Sequence, residues 1–115
     1  MELFLDTSDF VAKIKLTDTS GKSWQYEDNL GREMAEKLLE TLKNHLEEHG
    51  KTFHDLTKIT FVSGPGSFTG LRIGSSVVNT LSHELHIPLF DHKGTKHQII
   101  LPDYGRPANI SKPKK

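Results

Sequence analysis

Three clusters in this chain have residue types and spacings that could do chemistry. Gly64, Pro65, Gly66, Ser67, Phe68, Thr69 and Gly70 form a glycine-rich loop between a strand-like and a helix-like segment. A turn of that kind can aim backbone N–H groups and a helix N-terminus at a phosphate. The spacing fits neither of the common phosphate loops. A dinucleotide fingerprint needs Gly at 64, 66 and 69, and position 69 is Thr; a Walker loop needs Lys after its last Gly, where Leu71 stands and Arg72 is the nearest cation. The loop reads as a tight turn capped by Ser67 or Thr69. The alternative is a phosphate- or nucleotide-binding enzyme that uses Ser67, Thr69 and the helix N-terminus. In the second cluster, Asp6-Thr7-Ser8-Asp9, a phosphate loop would want Gly where Ser8 stands, and Asp9 would repel a polyphosphate. A polar hairpin turn is the better reading. The third, His45-Leu-Glu-Glu-His49, matches the H-x-x-E-H zinc-protease pattern. It lacks a third ligand farther along a helix, so no metal site is expected.

Composition narrows the field. The chain has 115 residues, with 15 Lys plus Arg against 15 Asp plus Glu, and no Cys. The balance excludes a globally basic nucleic-acid binder but leaves local patches open. Without Cys there are no disulfides, no Cys-ligated metal and no thiol nucleophile. No apolar run approaches the ~20 residues of a membrane span, and the acidic start does not resemble a signal peptide. These features predict a soluble, cytoplasmic single domain.

The elements that must position the clusters follow from periodicity. Glu2 to Asp6 is a short apolar run ending in turn residues. Phe10, Ala12, Ile14 and Leu16 alternate with polar residues as a second strand, and Trp24 and Tyr26 mark a third. From Arg32 to His49 the apolar residues Met34, Ala35, Leu38, Leu39, Leu42 and Leu46 recur at helical spacing, with Gly50 at the expected C-cap. Lys58 to Ser63 is strand, a second helix runs to about Leu85, and Pro88 to Asp91 is a last strand. The order β-β-β-α-β-α-β, with right-handed crossovers, gives a mixed five-stranded sheet of order 3-2-1-4-5 with both helices on one face. That is the ribonuclease-H-like lobe of the actin-like ATPases. The apolar arcs of the two helices, roughly 140° and 160°, are wide for surface helices. Either each arc also covers its neighbouring helix, or the surplus marks a partner site.

The string Gly64 to Gly74, Gly-Pro-Gly-Ser-Phe-Thr-Gly-Leu-Arg-Ile-Gly, resembles the signature of the bacterial TsaB family. The likeness extends to Leu5-Asp6-Thr7-Ser8 and His86-Ile87-Pro88-Leu89, and covers roughly residues 1 to 92. The signature residues are Gly64, Pro65, Gly66, Ser67, Phe68, Thr69, Gly70 and Arg72. The resemblance implies a non-catalytic partner of TsaD in threonylcarbamoylation of adenosine 37 of ANN-reading tRNAs, with no catalytic residue of its own. It implies a heterodimer with TsaD through helices 32–49 and 68–85, TsaE in a larger complex, and only indirect contact with tRNA. No cofactor would be bound by this chain alone, ATP and Mg being handled by the partners. The docking face is expected to contain Met34, Leu38, His45, Gly70, Leu71, Gly74, Ser75 and Val78. Without TsaD, the same face permits a two-fold homodimer.

The resemblance implies a second lobe in ordinary family members, and these 115 residues are expected to correspond to the first. Residues 1–96 therefore read as the N-terminal lobe and 97–115 as a C-terminal segment. Strands 1 and 4 are apolar on both sides, so the sheet face opposite the helices needs cover. Ile99, Ile100, Leu101, Tyr104 and Ile110 are the expected source, docked to about residue 110 and leaving a free basic end.

Overall fold

The computed structural model describes residues 1–103. Strand β1 (Glu2–Asp6) is central. It pairs antiparallel with β2 (Val11–Thr17), which pairs with β3 (Ser23–Asn29), and parallel with β4 (Lys58–Phe61). Strand β5 (Leu89–Asp91) continues the parallel half and carries a short antiparallel edge, β6 (Lys96–His97). The order is 3-2-1-4-5-6. The sequence accounts for the first five strands. The two-residue β6 is too short to leave a periodic signal.

Register sorts the side chains. Leu3 lies between Leu16 and Ile59, and Leu5 between Ile14 and Phe61, so at these positions one face of three strands is wholly aliphatic or aromatic. All six are buried. Against them pack α1 (Met34–Glu47) and α2 (Phe68–Leu85). Helix α1 enters through a 3-10 turn at Gly31–Glu33 and buries Met34, Leu38, Leu42 and Leu46, a row at four-residue spacing. Each such side chain contributes about 1.5–3 kcal/mol. Gly50 takes φ +69° beyond the end of α1, as its position predicts. At the C-cap of α2 His86 fills the left-handed position with φ 56°, and Ser82 holds the turn through bonds with Ile87. No helix among the described residues is long and apolar enough to cross a membrane.

The C-terminal segment takes a different path from the expected one. After β6 the chain runs along α2. The Asn79 amide binds both backbone groups of Ile100, at 2.9 and 3.0 Å, and Ile100 is buried in the helix-side core. The Asp103 N–H then reaches the Ser63 carbonyl. This segment flanks α2 and does not cover the opposite face of the sheet, because the β5–β6 turn returns the chain on the helix side. Ile99 and Leu101 are exposed; Tyr104 and Ile110 lie outside the described residues.

The β5–β6 turn is organised by one carboxylate. Asp91 accepts from the backbone N–H groups of Lys93 and Thr95, and its other oxygen lies 2.7 Å from His97 Nε2. The His97 bond first, and then the backbone donors, lower its pKa from 3.8 to about 2. A depressed carboxylate contributes stability that is present above its unfolded pKa and lost as pH falls through the folded value. The stability advantage of the native chain over Asp91→Asn is therefore expected to shrink between pH 4 and pH 2. NMR titration of the Asp91 carboxyl should give a midpoint near 2; a midpoint at an ordinary aspartate value would remove His97 from this role.

Candidate functional site

The glycine-rich loop closes on the β1–β2 hairpin. Thr7, in that hairpin, is completely buried, and its Oγ1 donates a 2.7 Å bond to the Gly70 carbonyl in the first turn of α2. The Ser67 N–H donates to the Ser8 carbonyl, and the Ser67 hydroxyl caps α2 by accepting from Gly70 N–H at 3.4 Å. Asp6 stays local, accepting from the backbone and hydroxyl of Ser8. The polar-turn reading thus holds for Asp6 and Ser8. Thr7 is the residue that it missed.

Two glycines explain why Thr7 fits. A side chain at Gly70 would collide with the Thr7 carbonyl, and one at Gly74 would collide with Thr7 Oγ1 and the Phe61 ring. Their four-residue spacing keeps a bare stripe of α2 against the hairpin. Gly66 meets the Ser8 backbone in the same way. The space left by these missing side chains is filled by the protein's own backbone and Thr7. The sequence signal was present: Gly66, Gly70 and Gly74 recur every four residues, and the stripe faces whatever precedes it on β1.

This geometry corrects the expected docking face. Met34, Leu38, Leu71, Gly74, Ser75 and Val78 turn inward, as does Gly70, and all are buried. In a two-layer lobe the sheet is the only layer the helices can cover, so the densest apolar row of each goes there. Ser75 turns its hydroxyl back to the Arg72 carbonyl. His45 turns toward β3, with Nε2 2.8 Å from Asp28 Oδ2 and its ring stacked on Tyr26 at 3.7 Å. His49 lies 2.7 Å from the Tyr26 hydroxyl and 4.0 Å from the Trp24 ring. Burial first, and then the Glu48 carboxylate, raise the Tyr26 pKa. Both histidines of the zinc-like pattern therefore serve a seam between α1 and β3. Among the described residues no three His, Cys, Asp or Glu converge as a metal site.

The outer surface of the helices has a different membership. Ala35, Thr69, Arg72, Ile73, Ser76 and Val77 line a groove of about 320 Å³ between α1 and α2. Leu39 and Phe68 are exposed at 42% and 46%. The wide arcs resolve into an inner row on the sheet and an outer remainder of Ala35, Leu39, Ile73 and Val77. Of the signature residues, Thr69 and Arg72 line the groove, Gly66 and Gly70 close on the hairpin, and Gly64 packs against Asp103 and Leu71. Pro65 is exposed, and Ser67 is the cap.

Strand order, crossovers and helix placement define an α/β lobe of the actin-like class, with two helices on one face. A family model described as "TsaD: tRNA N6-adenosine threonylcarbamoyltransferase" matches residues 28–91, more than half of the chain. The tRNA threonylcarbamoyladenosine biosynthesis protein TsaB of Bacillus subtilis is 31% identical over 76% of this chain and 38% of its own length. The TsaB of Buchnera aphidicola from Schizaphis graminum is 38% identical over 55% of this chain and 30% of its own. The structure of YeaZ from Pseudomonas aeruginosa superposes with a TM-score of 0.72 at 32% identity, covering 78% of this chain and 42% of that one. The chain belongs to the TsaB family. It spans about a third of the length of these two curated relatives.

A methyl group at position 74 separates the inward assignment from the docking one. In an ordinary helix Gly→Ala gains about 1 kcal/mol. Here Thr7 and Phe61 leave no room, and overpacking of a rigid site costs about 1–3 kcal/mol beyond that gain. Gly74→Ala is expected to lower the denaturant midpoint with an unchanged m-value. A stabilised variant would contradict the packing described.

Proposed function

We propose that this chain is a non-catalytic partner subunit for a TsaD-type transferase, acting in threonylcarbamoylation of adenosine 37 of ANN-reading tRNAs. The observation that carries the reading is the groove between α1 and α2. It has an apolar floor of Ala35, Ile73 and Val77, an exposed Leu39 beside it and a single cation, Arg72, at its edge. A helix pair from a partner would fill it by ridges-into-grooves packing, forming a four-helix arrangement. This docking face replaces the inward row, and it keeps the elements first assigned to it. The names of the curated relatives support the pathway. The glycine loop supports a non-enzymatic role, since the space at Gly66 and Gly70 is taken by the hairpin and that at Gly64 by the Asp103 backbone, leaving it to no phosphate. In this reading ATP and magnesium belong to the partners, TsaE joins a larger assembly, and the chain works in the cytoplasm.

Co-expression with TsaD from the same organism, followed by size-exclusion chromatography, tests the reading. The two chains are expected to co-elute. Ser76 is exposed in the groove, so Ser76→Arg should place bulk and charge in a desolvated contact and abolish co-elution. Its melting temperature should stay within the narrow range usual for surface substitutions. Separate elution of the native pair, with or without TsaE and nucleotide, would remove the proposal. Unchanged co-elution of Ser76→Arg would move the interface off the groove.

A further inference from the structure

The groove between α1 and α2 holds a charge that its own lobe does not use. Arg72 lines the groove from the N-terminal half of α2 and is exposed. Ser75 bonds its backbone carbonyl, not its side chain. Among the described residues Arg72 forms no ion pair, although Glu36 and Glu40 are exposed on α1. The other described residues of the lining, Ala35, Thr69, Ile73, Ser76 and Val77, bring no carboxylate. Helix position does not account for the cation either. A positive side chain suits the C-terminal end of a helix, and Arg72 lies near the opposite end, with no acid in the first turn beside it. The lobe by itself draws neither an ion pair nor a favourable dipole contact from this guanidinium.

We infer that Arg72 is the specificity-determining contact of the docking face, paired with a carboxylate on the partner's helix. The inference rests on the docking reading proposed above. A helix pair seated in the groove takes water away from the Arg72 side chain, and a desolvated charge without a counter-charge is costly. No residue of the lining can neutralise it, so the acceptor must arrive with the partner. A guanidinium meets a carboxylate through two parallel N–H donors, which fixes orientation as well as distance. The apolar floor cannot do that. Ile73 and Val77 are four residues apart, as are Arg72 and Ser76, so a partner helix displaced by one turn meets similar packing. The displaced helix sets its carboxylate opposite the Ser76 hydroxyl instead of the Arg72 guanidinium. Charge therefore selects one register, and it rejects a helix that carries lysine at the same place. Apolar burial supplies the attraction, and Arg72 decides which helix is accepted and where it sits.

The test measures the affinity of the full chain for TsaD from the same organism by titration calorimetry. Arg72→Met keeps the reach of the side chain and removes its charge. It should weaken binding at least about thirtyfold, the lower end for truncating one member of a desolvated charge pair. Arg72→Lys keeps the charge without the fork and should fall between the native chain and Arg72→Met. Arg72→Glu should bind more weakly still, and reversing one carboxylate on the docking helices of TsaD to Arg should restore its binding. Each variant should melt where the native chain does, since Arg72 has no ion pair within the described lobe. Native-like affinity of Arg72→Met would overturn the inference, and so would equal affinities of Arg72→Met and Arg72→Glu. If Ser76→Arg abolishes binding while Arg72→Met does not weaken it, the groove remains the docking site and the ion pair is removed. Failure of the native chain to bind TsaD removes both readings, so the two failures are distinguishable.

Discussion

The contact on which the lobe depends is the burial of Thr7 beneath the bare stripe of α2. Strand β1 joins the β2–β3 hairpin to the parallel strands, running antiparallel to β2 and parallel to β4. Its C-terminal hairpin must therefore be fixed relative to the helix that follows β4. A hydroxyl bonded to a helical carbonyl, with glycines above and below it, sets that distance with no adjustable side chain between. Leaving the same hydroxyl buried without a partner would cost about 1–3 kcal/mol. The contact is accordingly either well formed or disruptive.

Everything on the helix side follows from that closure. With α2 held against the hairpin, Leu71 and Val78 reach the sheet, and α1 completes the layer with its four-residue row. Of the residues displaced to the outside, Leu39 is exposed, while Ile73 and Val77 pack their inner sides against the core and leave the rest at the surface. The signature loop therefore shapes the outer groove indirectly, by deciding which sides of the helices are left over. On the other side of the sheet no described element is added, and the polar half of each strand's alternation stays at the surface. Exceptions to that polarity are Val11, Phe4 and Phe90, the last two beside lysines.

The α1–β3 seam adds a second tie between the layers. Strand β3 is longer than its two aromatic residues alone suggested, and Asp28 at its far end meets His45. The polar side chains of the zinc-like pattern are thereby absorbed into packing. Their spacing on one helix face suits ligation and strand contact equally well, since both need side chains one turn apart.

Local pattern determined much of this protein. Alternation in Phe10 to Leu16, helical spacing in Met34 to Leu46, and the Gly50 cap specified type and order of element, and right-handed crossovers then left one strand order. The eleven-residue string from Gly64 to Gly74 carried the family. Periodicity does not say which edge of a 140° or 160° arc faces inward, so Met34, Leu38 and Val78 read as a partner face from the sequence and Ala35, Leu39 and Val77 do not. That choice depends on which neighbouring layer approaches first, a property of several elements at once. Thr7 was illegible for the same reason, since a hydroxyl in a polar turn looks solvent-facing until a helix more than sixty residues later closes over it. The path of residues 98–103 along α2 was decided by an Asn79 side chain and a two-residue edge strand. Neither leaves a repeat in the sequence, because a single hydrogen-bonding side chain has no period.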